Sequence, residues 1–202
     1  MPRDGEKVRR SLQQAALELF GERGYEHTTA ADIAAKAGVT ERTFFRHFPD
    51  KRDVLFGGDT VLTEVLTTAV REAAAELGPW ETLFRAFRAA EYLFVENRPF
   101  AEPRQRLIEK TPALQERAVA KTRLLTASLV SALRERGIPD RVAMLVAQVG
   151  MAAASHAVAC WFEDGSRDLG DHLVHAFQKV HELSTFSKSL AKGATDSKLI
   201  PK

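Results

Sequence analysis

The chain has 202 residues, 45% of them hydrophobic and 28% charged, with a net charge of +2 and a single cysteine. That is an ordinary globular composition, and the single cysteine, Cys160, excludes an internal disulfide framework. No apolar run approaches the roughly 18 residues of a membrane span, and MPRDGEKVRR lacks the apolar centre of a signal peptide, so a cytoplasmic protein is expected. Electrostatics alone does not announce a nucleic-acid partner: residues 1–56 hold ten Lys and Arg against nine Asp and Glu, a net of +1.

Apolar positions recur at spacings of three and four along the chain, which predicts an all-α fold of about nine helices. Residues 6–23 form the first, with Val8, Leu12, Ala15, Ala16, Leu19 and Phe20 as its buried stripe and Gly24 as its end. Arg3, Lys7, Arg9 and Arg10 cluster before and within its start; they either reach a nucleic-acid backbone or minor groove or stay solvated. Thr29 is an N-cap with Asp32 three residues on, the spacing of a capping box. Gly38 ends this second helix. Thr40 caps the third, Glu41 to Phe48, and Val39 and Phe44 stand at the spacing of a hydrophobic staple. Asp50 caps the next helix. Two caps, a staple and a Gly turn fix the angle between two short helices, as in a helix-turn-helix whose second helix enters a DNA major groove. Phe44 and Phe48, four apart, face the core. Glu41, Arg42, Phe45 and Arg46 then point elsewhere, and an Arg can bond guanine in two places while an aromatic edge meets a thymine methyl.

GYEHTTAADIAAKAGVTERTFFRHFPDK, preceded by LELFGERGYE, resembles the DNA-binding region of TetR-family transcriptional regulators over about Val8 to Phe56. The resemblance implies a homodimeric repressor that binds a palindromic double-stranded operator and is released by a small-molecule effector. Glu41, Arg42, Phe45 and Arg46 are then expected at bases. By motif position, Thr28, Thr29, Thr40, Thr43, His47 and Lys51 are expected at phosphates. The expected division is 1–50 for DNA binding, 51–186 for ligand binding and dimerisation, and 187–202 as a polar flexible tail.

From Lys51 a helical pattern runs to about Leu77, with Gly57-Gly58 as a bend or break in it. Gly78-Pro79 opens a helix over Trp80 to Asn97. Pro99, Pro103 and Pro112 then punctuate the chain, leaving a short helix from Arg104 to Lys110. Long helices come next, from Pro112 to about Arg136, from Asp140 to Asp164 and from Leu169 to about Phe186. Trp80, Phe84, Phe87 and Phe94, with Leu125, Leu129 and Met151 and the polar Gln148 and His156, are the expected walls of an effector pocket; a solid core is the competing reading. RQRLIEKTPALQER, taken with TFFRHFPDKRDVLFGGD, resembles the TetR subgroup that binds acyl-CoA-like ligands, which implies an apolar or amphipathic effector. The last two helices carry apolar faces with no partner left in the chain. Pairing them with a second copy makes Ala153, Ala157, Phe177 and Val180 the expected dimer contacts.

His156 and Cys160, and His172 and His175, are spaced to share a metal, but no third ligand follows from spacing. No G-x-S-x-G or phosphate loop occurs. No catalytic residue, metal or cofactor is expected. An all-α enzyme, or a helical module that binds proteins without specific DNA binding, is the alternative; a gel shift separates them.

Overall fold

A computed structural model describes residues 2–57 and 59–185. Every element among them is helical: α1 Pro2–Arg23, α2 Ala30–Lys36, α3 Glu41–His47, a 3-10 helix Lys51–Phe56, α4 Asp59–Glu72, α5 Pro79–Ala89, α6 Glu91–Lys110, α7 Pro112–Glu135, α8 Asp140–Glu163 and α9 Leu169–Thr185. The polar tail expected at 187–202 lies outside the described residues, as does Gly58.

Two compact units share the chain, one formed by 1–65 with 92–128, the other by 66–91 with 129–202. In the first, Leu12, Ala16 and Phe20 of α1 meet Ile33 and Ala34 of α2, Phe44 and Phe48 of the α3 segment, and Val54, Leu55 and Phe56 of the 3-10 helix; Ile108 and Leu114 complete this core. The 3-10 helix therefore packs with α1–α3, and a boundary at residue 50 would cut through the core. Arg104 reinforces the packing: it donates to the Leu55 carbonyl at 3.3 Å and lies over the Phe56 ring. Arg117 of α7 pairs with Asp53. In the second unit, α8 packs on α5 and α9. Phe177 of α9 sits among Trp80, Phe84 and Phe87 of α5, with ring centres 4.6, 5.4 and 6.0 Å away.

The long helix expected from Lys51 is interrupted. A 3-10 helix ends at Phe56, Gly57 is extended, and α4 begins at Asp59. The helix expected over 80–97 breaks at Ala90 instead, and α6 runs unbroken through Pro99 and Pro103. Each proline removes one i to i−4 hydrogen bond. Val95 and Pro99 are exposed, so water can satisfy the carbonyl that Pro99 leaves without a donor. One helix, Asp140–Glu163, is after all long and apolar enough to cross a membrane by length and composition, with a mean hydropathy of 1.6. Its Ala143, Ala147, Gly150, Ala154 and Trp161 are buried within the second unit.

Candidate nucleic-acid interface

The geometry of α2 and α3 is set locally. Thr29 and Asp32 complete a reciprocal capping box: Asp32 N–H donates to Thr29 Oγ1 at 3.1 Å, and Thr29 N–H donates to Asp32 Oδ2 at 2.8 Å. The Thr29 hydroxyl, which donates to Asp32 Oδ2 at 2.6 Å, and then the Thr29 N–H hold the Asp32 carboxyl below the usual aspartate range. Gly38 turns the chain at φ +72°, a conformation a Cβ would strain. Thr40 then caps α3, accepting from Thr43 N–H at 3.2 Å. Phe44 is buried and packs against Phe48, with ring centres 5.7 Å apart and planes tilted by 48°. That anchoring fixes the rotation of α3.

Glu41, Arg42 and Arg46 consequently stand exposed, and Phe45 is 50% exposed although it is a large apolar ring. None of the three charged side chains forms an ion pair or side-chain hydrogen bond among the described residues. Their neighbours are engaged. Arg10 pairs with Glu6, Lys36 with Glu18 and Glu22, and Arg52 with Asp50. Arg9 lies over the Phe48 ring at 4.6 Å, its guanidinium directed at the His47 carbonyl. Two cations of the α1 cluster are thus turned inward or paired, and the inward Arg9 is a contact that spacing does not reveal. Glu6 and Arg10, four apart on one helix, are a readable pair.

The six residues expected at phosphates divide. Thr28 is fully buried and donates to the carbonyls of Leu19 at 3.3 Å and Gly24 at 2.9 Å, so it fastens the end of α1 and cannot meet DNA. Lys51 also turns inward: its ammonium donates to Tyr25 O at 2.8 Å and Thr28 O at 2.9 Å, and lies 3.9 Å from the centre of the Tyr25 ring. Both residues hold the α1–α2 connection. Thr29 and Thr40 are exposed caps, and Thr43 is half-buried with its hydroxyl 3.0 Å from that of Thr40. His47 is half-buried, and its Nε2 is buried with no hydrogen-bond partner among the described residues. Burial, then Arg46 and Arg9, push its pKa below the usual histidine value.

The nine residues expected to line a pocket divide between the two units. Phe94 and Leu125 belong to the first unit and the other seven to the second. Phe87, Leu129 and Met151 are buried. Trp80 and Phe84, half-buried, wrap Phe177, so the aromatic stripe of α5 is filled from within its own unit. Gln148 and His156 are exposed on α8, whereas Met151 is buried. His156 faces Cys160, with Nε2 3.5 Å from Sγ; no group of three or more metal-ligating side chains occurs among the described residues. Of the expected dimer contacts, Ala153, Ala157 and Phe177 are buried inside their own chain, at 5%, 1% and 3% exposure, and only Val180 is partly open. The open side of α8 is a different one, carrying Val142, Leu145, Gln148, Ala152, Ser155 and Ala159.

Residues 12–56 match the family described as bacterial regulatory proteins, tetR family, and residues 77–184 match the MftR C-terminal domain. The HTH-type transcriptional regulator TcmR of Streptomyces glaucescens is 36% identical over 115 residues, which cover 54% of this chain and 50% of TcmR; the chain matches about half the length of that relative. The mycofactocin biosynthesis transcriptional regulator MftR of Mycobacterium tuberculosis is 29% identical over 178 residues, 84% of this chain and 87% of MftR. Among solved structures, Thermus thermophilus FadR, a TetR-family transcriptional repressor in complex with lauroyl-CoA, is 28% identical, with a TM-score of 0.52 over 84% of this chain and 91% of its own. Matched in this order from a capped helix-turn-helix to a helical C-terminal part, the chain belongs to the tetR family of bacterial regulatory proteins.

Proposed function

We propose that the protein is a cytoplasmic, homodimeric transcriptional repressor that binds a near-palindromic operator through α3 and leaves it when a small effector binds. The observation that carries this reading is the outer side of α3: two arginines without ion-pair partners among the described residues and a half-exposed phenylalanine, held at fixed rotation by Phe44 and Phe48. Two such helices in successive major grooves on one DNA face stand roughly 34–36 Å apart. Arg42 and Phe45 read base edges, with Glu41 and Arg46 beside them. Thr29, Thr40 and Thr43 approach phosphates as cap hydroxyls, and His47 does so from the last turn of α3.

The dimer forms through the open side of α8, where Val142, Leu145 and Met144 are 42%, 61% and 44% exposed and Ala152, Ser155 and Ala159 allow close helix approach. Val180 stands at its margin on α9. Half-buried apolar side chains of the first unit, Leu62 and Val65 of α4, Leu93 and Phe94 of α6 and Leu125 of α7, leave apolar surface for an effector. The lauroyl-CoA complex of FadR supports an amphipathic, acyl-CoA-like molecule. Effector action requires unequal affinity for the DNA-competent and released states.

Arg42→Ala tests the assignment. It should weaken operator binding by about 1–3 kcal/mol and relax preference at one base pair, read by fluorescence anisotropy on single-pair operator variants. A uniform loss on every sequence would remove Arg42 from base reading.

A further inference from the structure

We propose that α3 reads the two strands of its operator by different chemistry: Glu41 and Phe45 take a cytosine and a thymine of one strand, and Arg42 takes a guanine beside them. The inference rests on α3 entering a major groove.

Residues four apart share a helix face, so Glu41 stands over Phe45 and Arg42 over Arg46. The rows differ in kind. The first holds a carboxylate and an apolar ring, both exposed and neither joined to a cation among the described residues. Such a row has nothing to offer a phosphate or the N7 and O6 acceptors of guanine; the carboxylate repels them. The cytosine N4 amino group donates to a carboxylate with no acceptor next to it on its own base. The adenine N6 amino group is flanked by the N7 lone pair, which opposes the second carboxylate oxygen. The Phe45 edge finds its apolar match in the thymine methyl. Cytosine N4 and the thymine methyl both lie on the pyrimidine side of the groove, so this row follows pyrimidines of a single strand. The second row holds guanidinium forks, which bond guanine O6 and N7 in pairs. Four residues of helix advance about 6 Å, and base pairs are about 3.4 Å apart. Because a helix in the groove is inclined to the DNA axis, the cytosine and the thymine are at most about two steps apart, with guanine supplied by the cytosine's own pair or its neighbour.

Glu41 also occupies the first turn of α3, where a carboxylate complements the helix dipole without any DNA. The test must separate that role from base reading. Duplexes are selected from a random library by the wild-type protein, Glu41→Ala, Glu41→Gln and Phe45→Ala; each is then measured on single-pair variants, alongside its thermal midpoint. The wild type should select a half-site with C·G and T·A within about two steps of each other on one strand. Glu41→Ala should flatten the C·G preference by roughly 5- to 150-fold while binding unrelated duplex more tightly, because a phosphate-repelling charge is gone. Glu41→Gln should move that position toward A·T, since Gln bonds adenine N6 and N7. Phe45→Ala should flatten only the T·A position. If Glu41→Ala changes stability and leaves every base preference intact, Glu41 serves the helix alone and the proposal is overturned. If the wild type enriches no sequence at all, the DNA-reading function fails with it, an outcome distinct from the first.

Discussion

Replacing Lys51 by alanine removes two charge-assisted hydrogen bonds at once, 2.8 Å to the Tyr25 carbonyl and 2.9 Å to the Thr28 carbonyl, together with an ammonium 3.9 Å from the Tyr25 ring centre. A hydrogen bond to a charged group contributes about 1.5–3 kcal/mol net, and a cation over an aromatic face about 0.5–1 kcal/mol. Simple addition overstates the loss. The three contacts share one side chain, so they are not independent, and water can reach the half-buried carbonyls once the lysine is gone. The expected cost is about 2–4 kcal/mol in the stability of the first unit. At a factor of ten per 1.4 kcal/mol, the slowest-exchanging amides of α1 and α2 should lose roughly 30- to 700-fold of their hydrogen-exchange protection.

The same substitution should leave the salt dependence of DNA binding unchanged. A lysine on a phosphate contributes about one unit to the slope of log K against log salt. Unaltered protection together with a slope reduced by about one unit would show that Lys51 serves DNA, and the assignment of its ammonium to the two carbonyls would be wrong.

Three further substitutions check the burial of His47, the open side of α8 and the core around Phe177. His47 titrates below the ordinary value of 6.5 because burial, then Arg46 and Arg9, disfavour its charged form; between its lowered pKa and 6.5 the unfolded chain binds more protons than the folded one, so stability should fall as pH drops through that window and recover above it. Denaturant midpoints across it should follow a flatter profile in His47→Gln, and identical profiles would refute the burial of a neutral ring. Leu145→Glu should yield monomers in sedimentation with the fold intact, whereas Phe177→Ala should cost about 3–5 kcal/mol of stability and disturb Trp80 fluorescence without being an interface change; dimers persisting in Leu145→Glu would move the interface off the open side of α8.

Local chemistry and the inward face of α3 are legible in the sequence; the distant partners of polar side chains are not. The caps at Thr29, Thr40 and Asp50, the turn at Gly38 and the inward pair Phe44 and Phe48 depend on neighbours within a few residues, and the structure reproduces each. Thr28 and Lys51 sit at motif positions where either a phosphate or a backbone carbonyl satisfies the same donor; only the fold brings the Leu19 and Tyr25 carbonyls within reach. Helix α8 misleads for another reason. Alanine and valine occur on all its sides, so periodicity cannot choose between the side of Ala153 and Ala157 and the side of Leu145 and Ala152. Burial against α5 and α9 makes that choice. In α6 two prolines carry the sequence signal of helix ends, while the exposed position of Pro99 makes its lost hydrogen bond tolerable.

The weak charge of residues 1–56 now has a physical account. Ten cations against nine anions would be a poor basis for DNA binding if all were equally available. They are not. Arg9, Arg10, Lys36, Lys51 and Arg52 are engaged by carboxylates, carbonyls or an aromatic ring of the chain. Arg42 and Arg46 are the cations left unengaged on α3, beside the exposed Phe45. Charge that is paired at home screens nothing on a phosphate, so net charge measures the scaffold and the interface together. Groove contacts by α3, doubled by a second copy, would carry the sequence preference, while phosphate contacts set position and affinity.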